Sequence, residues 1–117
     1  MITQEHARHF AQEWVEAWNA HDIDRIMSHY AEDVIIVSPI ARKILGNQEV
    51  RGIDAVKSYF LKGLQHYPDL RFDIQNVLCG HESVVVLYSN QNSIKAGEFM
   101  LLNDEGKVVR MYAHYSE

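Results

Sequence analysis

From Thr3 onward the apolar positions recur at helical spacing. Ala7, Phe10, Ala11, Trp14, Ala17 and Trp18 share one face, Thr3 can cap the first turn and Glu5 lies within it, so one long amphipathic helix is predicted to end near Asn19. Asp22 is a second N-cap, for a short helix with Ile23, Ile26, Met27 and Tyr30 as its inner stripe. The run from Asp33 to Ser38 reads as a strand, apolar enough to be buried on both faces and stopped by Pro39. Residues 40–51 mix polarity around a Gly46-Asn47 turn signal and read as a loop, with room for a short strand in 43–51. A third helix is predicted from Ile53 to Gln65, with Val56, Tyr59, Phe60 and Leu64 as its apolar face.

After Pro68 the pattern changes from helical to alternating. Leu70, Phe72 and Ile74 alternate with Arg71, Asp73 and Gln75, as in a half-buried strand. Ser83–Ser89 is almost continuously apolar, Ala96–Leu102 forms a further strand, and Asn103–Gly106 is a hairpin turn into a last strand over Lys107–Tyr115. Helices first and a meander later predict an α+β domain over residues 1–117, with helices on one face of a curved antiparallel sheet.

The late strands are apolar on both sides. Val85 and Leu87 are expected on one face, Val84, Val86 and Tyr88 on the other; Glu98, Met100 and Leu102 oppose Phe99 and Leu101; Met111, Ala113 and Tyr115 oppose Arg110, Tyr112 and His114. A sheet with one wet face should alternate cleanly. A second cover is therefore expected, and a second copy of the chain supplies it most simply, against an outer face of Val84, Val86, Tyr88, Phe99, Arg110, Tyr112 and His114. The competing reading is a sheet that tolerates exposed valine and tyrosine.

Composition narrows the functional classes. The chain has 117 residues and a formal charge of −5, with no clustered Lys and Arg, so neither nucleic acid nor an anionic membrane surface is an expected partner. A chain of this length buries roughly two-thirds of its unfolded surface, enough for a core without covalent staples. Its one cysteine, Cys79, has no internal partner, and Met1–Phe10 carries no apolar leader pattern. A cytoplasmic protein is the expectation. The seven histidines show neither an HExxH pattern nor a His/Cys cluster, so no metal and no other cofactor is expected. Glycines are scattered at turns, and neither a phosphate loop nor a nucleophile elbow is present.

Three segments in register carry a resemblance. Trp18–Pro39 ("WNAHDIDRIMSHYAEDVIIVSP"), Arg51–Phe60 ("RGIDAVKSYF") and Asp104–Tyr115 ("DEGKVVRMYAHY") are similar to the nuclear transport factor 2-like superfamily, in its SnoaL-like and ketosteroid-isomerase-like branch. The resemblance implies a cone, a cystatin-like α+β barrel in which a curved sheet wraps three helices from the N-terminal half and leaves a deep apolar pocket. It also implies dimers through the outer sheet face. It does not imply one activity, because this fold carries isomerases, cyclases, dehydratases and non-enzymatic binders.

Steroid isomerases of this fold place an aspartate base just before the proline that ends the first strand, a tyrosine on the first helix and a protonated acid on a late strand. Here the first position falls on Ser38, which is not a base, and the second on Trp14, which is only an N–H donor. The third falls on Glu98. A steroid isomerase of the usual mechanism is therefore not expected. What remains is a SnoaL-like pocket protein for a small apolar ligand, an isomerase, cyclase or lyase if Glu98 is its acid–base, or else a binding or dimerisation module without chemistry. Glu98 could equally be a solvated rim residue beside Lys95. Trp14, Trp18, Tyr30, Ser38, Tyr59, Leu87, Met100, Met111 and Tyr115 are the expected pocket residues, with plain core packing the competing role for the aromatic ones. Arg42, Lys43 and Arg51 flank a loop that could lie over the mouth and favour an anionic ligand.

Overall fold

Residues 2–116 are described in a computed structural model of the chain. In chain order the elements are α1 (Gln4–Asn19), α2 (Ile23–Met27), β1 (Tyr30–Val37), α3 (Pro39–Leu45), β2 (Glu49–Arg51), α4 (Ile53–His66), β3 (Asp73–Cys79), β4 (Ser83–Ser89), β5 (Lys95–Leu102) and β6 (Val108–Tyr115). The caps act where the sequence placed them. Thr3 Oγ1 accepts the His6 N–H at 3.1 Å, and Asp22 Oδ1 accepts the Arg25 N–H at 3.2 Å, each satisfying a donor that the first helical turn leaves free.

Residues 40–51 are not a loop. Ser38 is extended, with φ −152°, and its Oγ accepts the Ile40 N–H at 3.1 Å, while Pro39 takes the first helical position, where a missing N–H does no harm. Gly46 ends the seven-residue helix α3 in the left-handed region at φ 81°. Among the described residues four helices thus precede β3, rather than three. Short length and mixed polarity hide α3 from periodicity, and only its caps signal it. The short strand allowed in 43–51 is β2, paired antiparallel with β1.

The sheet order is β2-β1-β6-β5-β4-β3. Pairing is antiparallel throughout except between β1 and β6, which run parallel. The long connection from β1 through α3, β2, α4 and the meander lets the last strand return beside the first. β3 begins at Asp73 rather than Leu70, yet Leu70 and Phe72 still pack half-buried against the core.

The faces of β4 are the reverse of the sequence expectation. Val84, Val86 and Tyr88 are buried on the inner face, whereas Leu87 is 36% exposed on the outer one. A continuous apolar run has no period of its own, so its phase comes from the neighbouring strand. Val84 lies opposite Met100, Val86 opposite Glu98 and Tyr88 opposite Ala96, and directly opposed residues share a face. Val84, Val86 and Tyr88 are therefore not part of the outer face, and Leu87 is not a pocket residue. On β5 and β6 the alternation runs as expected, with Glu98, Met100, Met111 and Ala113 inside and Phe99, Arg110, Tyr112 and His114 outside.

The core lies between this inner face and one side each of α1 and α4. Ala7, Ala11, Trp14, Val15, Ala17 and Trp18 of α1 and Val56, Tyr59 and Phe60 of α4 are buried against Val34, Ile36, Val84, Val86, Met100, Val108 and Met111. At about 1.5–3 kcal/mol for each large apolar side chain, this packing supplies most of what opposes chain entropy.

Candidate functional site

The inner face is not filled to its edge. Two rows of side chains cross it where β4, β5 and β6 meet. Tyr115, Ala96 and Tyr88 are opposed in one row, and Ala113, Glu98 and Val86 in the next. Val37 pairs with Tyr112, and continuing that register sets Ser38 beside Ala113. Small residues thus stand between larger ones, and the hollow over Ala113 opens into a cavity of about 370 Å³. That volume is within the range of small-molecule sites. Trp14, Trp18, Phe60 and Phe72 form apolar walls, while Pro39, Ile40 and Lys43 of α3 and Asn90–Asn92 of the β4–β5 turn surround the opening.

Among the described residues Glu98 is the only acidic one on this lining, and it is 3% exposed. Tyr88 Oη donates to its Oε2 at 2.7 Å, whereas Oε1 is buried without a hydrogen-bond partner among the described residues. Burial pushes the carboxyl up from 4.5 to about 8, against the opposing pull of the Tyr88 hydrogen bond. Near pH 7 Glu98 is therefore mostly a neutral acid. With Oε2 accepting from Tyr88, its proton belongs on Oε1.

The phenols of Tyr30, Tyr59, Tyr88 and Tyr115 stay protonated. Burial pushes the Tyr59 phenol up to about 12, with Ser38 opposing the rise. Burial likewise raises Tyr30, Tyr88 and Tyr115, with the charge of Glu98 next in effect for Tyr88 and Tyr115. Tyr59 Oη donates to Ser38 Oγ at 3.4 Å, so the serine oxygen accepts both this proton and the Ile40 N–H that it caps. The hydroxyl of Ser38 is thereby oriented as a donor.

Seven of the expected pocket and catalytic residues meet here: Trp14, Trp18, Ser38, Tyr59, Glu98, Met111 and Tyr115 line the cavity. Tyr30, Met100 and Leu87 do not. Trp14 Nε1 donates to Tyr30 Oη at 2.9 Å and Tyr30 Oη to Met111 Sδ at 3.5 Å, so this tyrosine lies behind the wall that Trp14 and Met111 present. Met100 is fully buried in the core, and Leu87 is on the opposite side of the sheet. Phe72, Ala113 and Ile36 line the cavity without having been named as pocket residues, and Tyr88 lines it although it was expected on the outer face. Tyr88 needed the register with Ala96, and Phe72 was legible from its alternation with Leu70.

A SnoaL-like domain family model matches residues 11–116. The crystal structure of a SnoaL-like protein of unknown function from Burkholderia thailandensis superposes with a TM-score of 0.93 at 37% identity, covering 100% of both chains. A candidate isomerase of the SnoaL-like family from Agrobacterium tumefaciens gives 0.76 at 16% identity, over 95% of this chain and 97% of that one. TerC, co-crystallised with polyporic acid, gives 0.77 at 18% identity, over 94% and 91%. At such identities the last two share the fold alone. No curated protein matches the sequence.

Proposed function

The chain belongs to the SnoaL-like family, and on that premise we propose that its cone binds a compact, largely apolar carbonyl compound and that Glu98 moves a proton on it. The observation that carries this reading is a buried carboxyl with one unpaired oxygen on the lining of an apolar cavity. A pKa near 8 suits either direction of transfer at neutral pH. In its ionised fraction Glu98 takes a proton from the carbon next to the carbonyl and becomes the neutral acid. The enolate oxygen is met by the hydroxyls of Ser38 and Tyr115. The same proton then returns to oxygen or to another carbon, which leaves the carboxylate as it began and the substrate tautomerised or isomerised. The candidate isomerase among the fold neighbours, and TerC with its polyporic acid, support small-molecule chemistry in such a cone.

Hydrogen exchange on cyclic ketones in D₂O, followed by NMR, tests the reading without knowledge of the natural substrate. The wild type should exchange α-hydrogens at a rate that rises with pH and levels off above pH 8, and Glu98→Gln should lower that rate by about 10²-fold or more. Exchange that survives the substitution overturns Glu98 as the acid–base. Binding of ketones with no exchange in either protein favours the pocket without chemistry. The hydrogen bonds of Ser38 to α3 and of Trp14 to Tyr30 favour that second reading, because they give both side chains a structural role.

We also propose that a second copy packs on the outer sheet face. Leu78, Leu87 and Tyr112 are exposed large side chains there, at 49%, 36% and 37%, and Phe99 lies beside Tyr112 with the rings tilted and their centroids 6.2 Å apart.

A further inference from the structure

The mouth of the cavity has a chemistry opposite to that of its floor. Among the described residues, Lys43 and Glu98 are the only ones on the lining with a charged type of side chain, and Lys43 stands at the opening on α3. It is exposed and pairs with no carboxylate among the described residues. Of the other two basic residues of that region, Arg51 is engaged by Glu49, and Arg42 does not reach the lining.

Across the opening from α3, the β4–β5 turn presents amides whose oxygens are already engaged. Asn90 Oδ1 accepts the N–H groups of Asn92 and Ile94 at 2.9 and 3.1 Å, which builds the turn. Gln91 Oε1 accepts the Arg71 N–H at 3.4 Å. What these two side chains have left to offer is their NH₂ ends. The rim therefore combines one unpaired ammonium with amide N–H donors, and among the described residues no carboxylate opposes them.

We propose that the ligand of this cone is a carboxylate, with its apolar body against Trp14, Trp18 and Phe72 and its charged end at the mouth on Lys43 Nζ and the side-chain amides of Asn90 and Gln91. The inference rests on the cone being a small-molecule site and adds the class and orientation of what enters it. The reverse orientation would bury the charge beside Glu98, away from water and without a cation. With the carboxylate outward, its charge is met by the ammonium and solvent, and the uncharged end of the molecule reaches the acid.

Calorimetric titration with 2-naphthol and 6-hydroxy-2-naphthoate, which differ by the carboxylate alone, tests this at pH 7 and low salt. The wild type should bind the naphthoate about tenfold more tightly, as a charge-assisted contact allows. Raising the salt should shrink that preference. Lys43→Gln should bring the two affinities to within about twofold of each other. Equal binding of both probes by the wild type, or a preference that Lys43→Gln leaves intact, overturns the carboxylate assignment while the cone remains a binding site. A protein that binds neither probe overturns the small-molecule reading and this inference with it.

Discussion

Glu98→Gln should make the protein more stable at high pH, and the size of the gain follows from the environment of the carboxyl. In the folded chain Glu98 titrates near 8, against 4.5 for the unperturbed group. Because the native state holds this proton more tightly than the unfolded chain does, the stability associated with it is fully present below about pH 4.5. It is lost as pH rises through about 8, where the native state finally ionises. At 1.36 kcal/mol per pKa unit, the loss is about 3 kcal/mol by pH 7 and about 5 kcal/mol at the plateau above pH 9. Glutamine keeps the shape and can still accept from Tyr88, but it does not titrate. The assay is thermal or urea unfolding of both proteins from pH 4 to pH 9. Taking the difference between them cancels every other titrating group. That difference should change by about 4 kcal/mol in favour of the variant between pH 4 and pH 8, or roughly 15 °C in Tm for a domain of this size. Parallel curves for the two proteins would refute the argument, since they would mean that Glu98 ionises in the folded state as it does in water.

Three further outcomes are expected. Ser38→Ala removes the α3 cap and the acceptor of the Tyr59 proton, and should lower stability by about 1–2 kcal/mol in urea unfolding; an unchanged midpoint would mean that neither bond contributes. Ala113→Leu places three more carbons between Ser38 and Glu98, and should abolish binding of 2-naphthol in calorimetry while the protein stays folded, whereas unaltered affinity would place the ligand elsewhere. Leu87→Lys puts a charge at the centre of the proposed outer-face contact, and sedimentation velocity should show a wild-type dimer become a monomer; a wild type that sediments as a monomer would remove the contact altogether.

Much of this molecule is a local matter. Thr3 and Asp22 start their helices through hydrogen bonds to residues three positions on, and the stripe from Ala7 to Trp18 needs only helical spacing to face inward. Alternation along β5 and β6 put Glu98, Met111 and Ala113 on one side and Phe99, Tyr112 and His114 on the other, because a strand with one charged or small residue in its pattern declares its own phase. Resemblance across three segments carried the cone itself. Other features needed contacts between distant parts of the chain. β4 is apolar at nearly every position, so only its hydrogen bonding to β5 settles that Tyr88 faces Glu98 and Leu87 faces outward. Tyr30 and Tyr59 have the same side chain on adjacent elements, yet Trp14 holds the first behind the wall and Ser38 holds the second within the cavity. Glu98 alone shows most plainly where the sequence stops. Its position in the chain was readable, but its neutral form at pH 7 arises from burial, and burial is a property of the assembled cone.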